Sequence, residues 1–402
     1  MQNDSSRRVR NRRVAVLTAA ASAAVLALVA PCAALAAPSS SVALSGGGDS
    51  GSGDSCDLVN STVTATSTVN AGLTQQFNDY ANTGGAWTGG DSTYSLPLSD
   101  GRLGWFFSDT FLGIVNPDGS RPTDTTFVNQ SIVVDDAGTL STVTGGTPSA
   151  PDSIVPPTPE GKWHWLGDPA EGKHGDVQIP LLQFEKFGPD LWDFRWTANR
   201  LATLDGDTLA LEEVTELPSA TGTNWTSYTL QEGSKTYVYG IRDIDGVRSA
   251  FVARVTGNDG LKGNWKFWDG DSWSNSEADA VPVASYVSNE FSVEPFHDGY
   301  ILITHDTTWA FDNRVVAQAS CSPTGPFVFA TELFRAPESG LWGSYGDQDV
   351  YTYNSHEHVE LRDGDTLLVT YNVNTFDNVG DIYDDASIYR PRFYDVQLTV
   401  TP

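Results

Sequence analysis

From Thr62 onward the chain alternates short apolar runs with polar turns, and apolar residues rarely recur at the three- and four-residue spacing of a helix. Six Asp-Gly pairs, beginning at Asp100, Asp205, Asp245, Asp269, Asp298 and Asp363, fall between runs rich in β-branched and aromatic residues. Asp-Gly supplies the left-handed backbone positions that tight hairpins need, so the pattern predicts strands joined by short turns. The class expected is all-β.

A coarser repeat lies above the hairpins. Five segments open on a polar residue, run through an apolar strand to a turn, and return: "GGDSTYSLPLSDGRLGWFFSDTF", "HGDVQIPLLQFEKFGPDLWDFRW", "GTNWTSYTLQEGSKTYVYGIRD", "SNEFSVEPFHDGYILITHDTT" and "NSHEHVELRDGDTLLVTYNVN". Their leading polar residues are Asp91, Asp176, Asn224, Glu290 and His356. Shared over residues 56–402, five units come to about 69 residues each, enough for a four-stranded blade with its loops. A five-bladed β-propeller is therefore expected; a two-sheet sandwich would leave the leading polar position unexplained. The strand "STVTATSTV" (Ser61 to Val69) is expected to close the ring beside "RFYDVQLTV", which removes open sheet edges.

The amino-terminal residues depart from this pattern. Residues 1–37 carry a basic head, an alanine-rich apolar run and Ala34-Leu35-Ala36 before Ala37, which together predict a cleaved export signal rather than a membrane anchor. Residues 38–55 read as a Gly/Ser-rich tether, and 56–402 as the propeller domain. The signal holds five arginines and one aspartate, so the remainder has 18 Lys and Arg against 50 Asp and Glu, a net charge of −32. That balance excludes nucleic acid as a partner and, once the signal is removed, an anionic membrane surface. A secreted, extracellular monomer with a neutral ligand fits better. Two cysteines remain, Cys56 and Cys321, and in an oxidising compartment they predict one disulfide.

In a propeller the first strand of each blade lines the axis, so the leading residues converge at one mouth. Three carboxylates, an amide and a histidine there form a candidate site, and paired carboxylates in an aromatic-rich setting are what glycoside hydrolysis uses. If Ser99, Asp100 and Gly101 form a three-residue turn closed by Leu98 and Arg102, paired positions sum to 200 and Asp91 falls opposite Asp109. Carboxyls so placed would have separated pKa values, and their spacing would suit a retaining mechanism. A two-residue turn would put them on opposite faces. The competing pair is Asp91 with Glu290 across the pocket, at the wider separation of inverting enzymes. His305 and Asp306 hold in the fourth segment the place of Asp109 in the first. His356 and His358 share a face and could bind a sugar or, with a third ligand not visible in the sequence, a metal. Arg390 and Arg392 could grip sugar hydroxyls or pair with acids. Trp87, Trp225 and Trp309 adjoin the polar positions and are candidates to stack on rings.

The order of an opening aspartate, a second aspartate, a late glutamate and a final histidine resembles furanose-acting propeller glycoside hydrolases. "WTGGDSTYSLPLSDGRLGWFFSDTF", "SNEFSV", "THDTT", "YNSHEH" and "YRPRF" resemble the secreted actinobacterial propeller family that includes endo-D-arabinanases. The resemblance spans Ala81 to Phe393. It implies cleavage of α-arabinofuranosyl linkages in cell-wall arabinan, with a polysaccharide as partner and no cofactor beyond a structural calcium in the channel. Asp91 would be the nucleophile and Asp109 the acid/base, with Glu290 an alternative acid. Asp176, Asn224, Trp225, His305, Asp306, His356, His358, Arg390 and Arg392 would line the substrate site. The reading from another class is a non-catalytic carbohydrate-binding propeller, for which Asp91 and Asp109 would be dispensable.

Overall fold

The computed structural model describes residues 56–402; the export signal and the tether expected over 1–55 lie outside the described residues. Five antiparallel sheets succeed one another along the chain as the blades of a propeller. Blade 1 runs through Ala86–Pro97, Leu103–Gly113, Ser131–Asp136 and Thr139–Val143, from the axis outward. Blade 3 follows the same plan from Asn224–Glu232, and blade 4 from Phe291–Phe296. In blade 5, Val350–Glu357, Thr366–Thr375 and Arg392–Thr401 are joined by the amino-terminal strand Thr62–Val69, paired from Thr62 opposite Thr401 to Val69 opposite Tyr394. The ring closes at the strand the sequence predicts. Cys56 and Cys321 form a disulfide that ties the start of this closing segment to blade 4.

Blade 2 departs from expectation. The hairpin Val177–Lys186 with Phe194–Leu204 supplies its second and third strands, not its first. The axial position is taken by Trp163–Leu166 and Ala170–Glu171, which both pair with Val177–Lys186. Gly167, Asp168 and Pro169 interrupt this strand: Pro169 has no N–H to give, and a Cβ on Gly167 would lie 2.3 Å from the Thr226 carbonyl oxygen. In sequence that interruption reads as a turn, which hides the strand.

The core is divided among the interfaces between blades. Tyr94 and Ile132 of blade 1 pack with Ile179 and Ala202 of blade 2. Blades 2 and 3 meet around Leu201 and Trp225, blades 3 and 4 around Tyr239 and Phe291, and blades 4 and 5 around Ile303 and Tyr371. Between blades 5 and 1 the wedge is filled by a helix, Ala71–Thr83, which the strand pattern does not predict. Asn70 caps it, its Oδ1 accepting the Leu73 N–H at 2.9 Å. Phe77 is buried against Trp87 and Trp105, with ring centroids 5.6 and 5.4 Å away.

Candidate active site at the propeller axis

The first hairpin turns where expected. The Leu98 N–H donates to the Arg102 carbonyl at 2.8 Å, and Gly101 takes a positive φ of 90°. Outward from the turn Leu96 faces Gly104, and beyond the middle of the strands Gly89 faces Phe111, both in the register expected, while Ala86 faces Gly113 one residue out of it. Between them the inner strand is bulged. Gly90 faces Thr110 but Ser92 faces Phe107, and Ser92 and Thr93 adopt φ of 67° and 68°. Left-handed conformation at two successive residues other than glycine is costly. Asp91 falls within this register shift, so the expected face-to-face pairing with Asp109 is replaced by a different arrangement.

Asp91 lines a cavity of about 650 Å³ at the axis, and the Tyr353 hydroxyl donates to its Oδ2 at 2.8 Å. Glu290, which leads into the inner strand of blade 4, lines the same cavity. Its Oε1 lies 2.8 Å from Ser92 Oγ, which in turn lies 2.9 Å from Ser108 Oγ. Burial, and then the charge of Asp91, raise the Glu290 carboxyl well above its ordinary range. Glu290 thus keeps its proton at a pH where an ordinary glutamate is ionised.

Asp109 does not line the cavity. It is fully buried behind the wall, and its Oδ1 accepts from Trp165 Nε1 at 2.9 Å and from Asn129 Nδ2 at 2.8 Å. The Trp165 bond fixes an indole that does face the cavity.

His356 lies beneath the carboxyls. Its Nε2 is 3.2 Å from the Thr93 carbonyl, which can only accept, so Nε2 carries the hydrogen and Nδ1 faces Glu290 Oε2 at 3.9 Å. The ring stacks on Tyr94 at 4.7 Å, and burial pushes its pKa down to about 4. Asn354, beside it on the inner strand of blade 5, is another left-handed residue, with φ of 57°. The strained positions thus surround the two carboxyls.

Two contrasting walls complete the cavity. Blade 2 contributes Trp165, Phe184, Phe187, Trp192, Phe194 and Trp196. Blade 3 contributes Asn224, Arg242 and Arg248, the last paired with Asp243 at 2.9 Å and bonded to Asn289 Oδ1 at 2.6 Å. An apolar aromatic wall beside a polar one offers both stacking and hydrogen bonding to a ligand.

Of the residues singled out in the sequence, Asp91, Asn224 and Glu290 line this cavity, and His356 is buried behind Glu290 without lining it. The others lie elsewhere. Asp176 is half-buried before the second strand of blade 2, a consequence of the hidden axial strand. Trp225 is core, its Nε1 donating to Glu277 Oε1 at 3.0 Å, and Trp87 is core beside Phe107. His305 is bonded through its two ring nitrogens to Ser355 and Thr352, and burial pushes its pKa down to about 3. Asp306 pairs with Arg314 at 2.8 Å. His358 bonds Ser95 and, at 2.8 Å, Thr370 Oγ1. Arg390 reaches Asn78, Asn82 and the Thr88 carbonyl, fastening the helix to blade 1, while Arg392 pairs with Glu338 at 3.0 Å. Trp309 is exposed on a loop of blade 4. Among the described residues no group of three or more His, Cys, Asp or Glu is arranged to hold a metal ion, and the ring nitrogens of His358 already have protein partners, so the histidine pair does not fit a metal.

Sequence reasoning missed Tyr353, Ser92 and most of the blade 2 wall. The run Phe184 to Trp196, with Phe187, Trp192 and Phe194 between, was a visible signal, since few strand pairs carry so many aromatic residues.

Fold and axial cavity together define a five-bladed β-propeller with two carboxylates facing one pocket. The chain belongs to the family described as a domain of unknown function (DUF5005), whose model matches residues 74–398. No curated protein sequence matches it. Among solved structures it is similar to a presumptive hydrolase of Bacteroides ovatus, with 22% identity and a TM-score of 0.69, covering 84% of this chain and 94% of that one. A family 117 glycoside hydrolase of Zobellia galactanivorans gives 13% identity and a TM-score of 0.43 over 84% of this chain and 90% of that one. An α-L-arabinofuranosidase of Lactobacillus brevis gives 11% and 0.44 over 77% and 91%. The first of these establishes a shared fold.

Proposed function

We propose that the protein is a glycoside hydrolase whose catalytic pair is Asp91 and Glu290. The observation that carries this reading is their common cavity: two buried carboxyls from different blades, one with its pKa raised by burial and then by the other's charge, beside an aromatic wall. Glu290, protonated, gives its proton to the glycosidic oxygen as the bond to the anomeric carbon breaks. Asp91, ionised, takes a proton from the water that attacks that carbon from the opposite face. A later exchange with solvent restores both groups. Asp109 positions Trp165 rather than touching the sugar. Expected retention rested on Asp91 facing Asp109; with Glu290 as acid, inversion is proposed instead.

For substrate, the resemblance of the first hairpin and of "YNSHEH" to arabinan-cleaving propellers supports α-arabinofuranosyl linkages, with cell-wall D-arabinan cut internally. Secretion, proposed from residues 1–37, would bring the enzyme to such a polymer. The test is digestion of mycobacterial arabinogalactan and plant L-arabinan by wild type, Asp91→Asn and Glu290→Gln. A ladder of arabino-oligosaccharides from arabinogalactan alone, absent with both folded variants, is expected. Equal ladders from wild type and both variants would overturn the assignment of the pair. Sugar binding without products would favour a non-catalytic binding propeller.

A further inference from the structure

Antiparallel pairing fixes which loops share a face. Every inner strand starts on the face where the second strand of its blade ends, so the loops before inner strands and those after second strands lie together. The cavity opens on that face, since Phe187, Arg242, Asp243 and Asn289 all come from such loops or their margins. Residues 306–313, after the second strand of blade 4, and 337–349, before the inner strand of blade 5, lie on the same face.

These two loops carry Trp309 and Trp342, which are 72% and 94% exposed. Every other tryptophan among the described residues is buried or partly so. The Trp342 loop is tightly held. The Gly340 N–H donates to the Val350 carbonyl at 2.8 Å, the Gly343 N–H to the Gly340 carbonyl at 2.8 Å, and the Ser344 N–H to the Pro337 carbonyl at 2.8 Å. A Cβ on Gly343 would lie 2.2 Å from the Glu338 carbonyl oxygen, so the turn is packed against its own base. Trp342 is therefore presented from a braced turn, and its exposure is not that of a loose loop.

A run of aromatic rings leads from the cavity toward these loops. Tyr353 lines the cavity; Tyr351 follows at 5.5 Å, then Phe311 at 4.9 Å and Phe376 at 4.7 Å from Tyr351. Phe311 is two residues from Trp309 in the same loop, where the Asp312 N–H turns back to the Trp309 carbonyl at 3.3 Å. This packed cluster, with Tyr351 and Tyr353 buried, braces the loop that carries Trp309 against the inner strand of blade 5. The two loops carry Asp306, Asp312, Glu338, Asp347 and Asp349 and no lysine or arginine, so an uncharged ring with an apolar face suits them better than an anionic chain.

We propose that Trp309 and Trp342 form an outer sugar-binding platform, occupied by residues of the same glycan chain beyond those held at Asp91 and Glu290. The platform rests on the glycosidase reading for its substrate and makes the enzyme one that grips a polymer along its length. Single rings on exposed aromatic residues contribute modestly, so losing either indole should weaken polymer use about five- to tenfold and leave the chemistry alone.

The test compares wild type, Trp309→Ala, Trp342→Ala and the double variant, with Phe329→Ala on the outer strand of blade 4 as a control for an exposed ring elsewhere. Migration is measured in gels containing mycobacterial arabinogalactan, plant L-arabinan or xylan. Turnover is measured on the retarding polymer and on a nitrophenyl arabinofuranoside too short to leave the cavity. The expected result is lost retardation and reduced kcat/KM on polymer for the tryptophan variants, with the short substrate and the control unchanged. Equal losses on long and short substrates, or double-variant migration matching wild type in every gel, would overturn the platform. A wild type that is retarded but cleaves nothing, with retardation lost in the double variant, would retain the platform and refute the glycosidase reading.

Discussion

Glu294 lies on the inner strand of blade 4, two residues beyond Ser292 and on the same face of the strand. It is buried, with the Tyr228 hydroxyl donating to its Oε1 at 2.5 Å. Burial, together with the nearby Glu357 and Glu360 carboxyls, pushes its pKa from 4.5 up to about 8, against the lowering influence of Tyr228 and Arg362. The sign follows from linkage. A carboxyl raised in the fold keeps a proton that the unfolded chain releases, so its contribution is fully present below pH 4.5 and is lost as pH rises through about 8. A displacement from 4.5 to about 8 corresponds to roughly 5 kcal/mol across that window. Glu294→Gln keeps an oxygen for the Tyr228 hydroxyl and removes the ionisation. Urea unfolding at pH 5, 7 and 9 should show near-equal stabilities at pH 5, a variant already more stable than wild type by most of that amount at pH 7, and little further divergence above about pH 8. Parallel stability curves across this range would refute the argument that burial keeps Glu294 protonated.

Opposite behaviour is expected at acid pH: His305 and His356 have folded pKa values of about 3 and about 4, so the unfolded chain takes up protons that they refuse, and stability should fall as pH drops below about 6.5, measurable by thermal unfolding and reduced in slope by His305→Gln. Arg390→Ala removes the guanidinium bonded to Asn78, Asn82 and the Thr88 carbonyl, and should cost about 3 kcal/mol in urea unfolding with early hydrogen exchange of Ala71–Thr83; a loss under about 1 kcal/mol would mean the helix is held by Phe77 alone. Cys56→Ser with Cys321→Ser opens a link spanning 265 residues and should cost up to about 5 kcal/mol in the same assay. Asp109→Asn should lower polymer turnover about tenfold while changing Trp165 fluorescence, since its bond orients an indole of the cavity wall; unchanged fluorescence would contradict that role.

The ring was legible because its determinants are local. Asp-Gly turns and alternating strands announce hairpins, and five leading polar residues announce a shared axis. What escaped depended on partners far away in sequence. The inner strand of blade 2 is short and broken at Gly167–Pro169, so only its pairing with Val177–Lys186 identifies it as a strand. The helix Ala71–Thr83 has a weak apolar stripe, and its stability comes from Phe77 entering an aromatic nest supplied by blades 1 and 5. At the site, counting from the turn set the register from the turn to Tyr94 and again at Gly89 and Gly90, but could not show the bulge at Ser92 and Thr93 or the one-residue shift at Ala86 and Trp87. That bulge is sustained by contacts from blade 5, among them Asn372 Nδ2 to Thr93 Oγ1 at 2.8 Å and His356 to the Thr93 carbonyl. It turns Asp91 toward Glu290 and leaves Asp109 in the wall. Similarly, Trp225, Arg390 and Arg392 had the right residue types for sugar binding, and only their buried partners reveal a structural duty.

The central claim is that Glu290 serves as the proton donor and Asp91 as the ionised partner, and the pH dependence of kcat/KM tests it most directly. Wild type and Glu290→Gln would be followed on arabinan and on a nitrophenyl arabinofuranoside, whose leaving group needs little protonation. The account predicts a bell-shaped profile for wild type on arabinan, with a basic limb well above the ordinary range of a glutamate. In Glu290→Gln that limb should vanish, with arabinan cleavage lost by about a hundredfold or more and the nitrophenyl glycoside still cleaved. A basic limb that persists in Glu290→Gln, or equal loss on both substrates, would contradict the assignment.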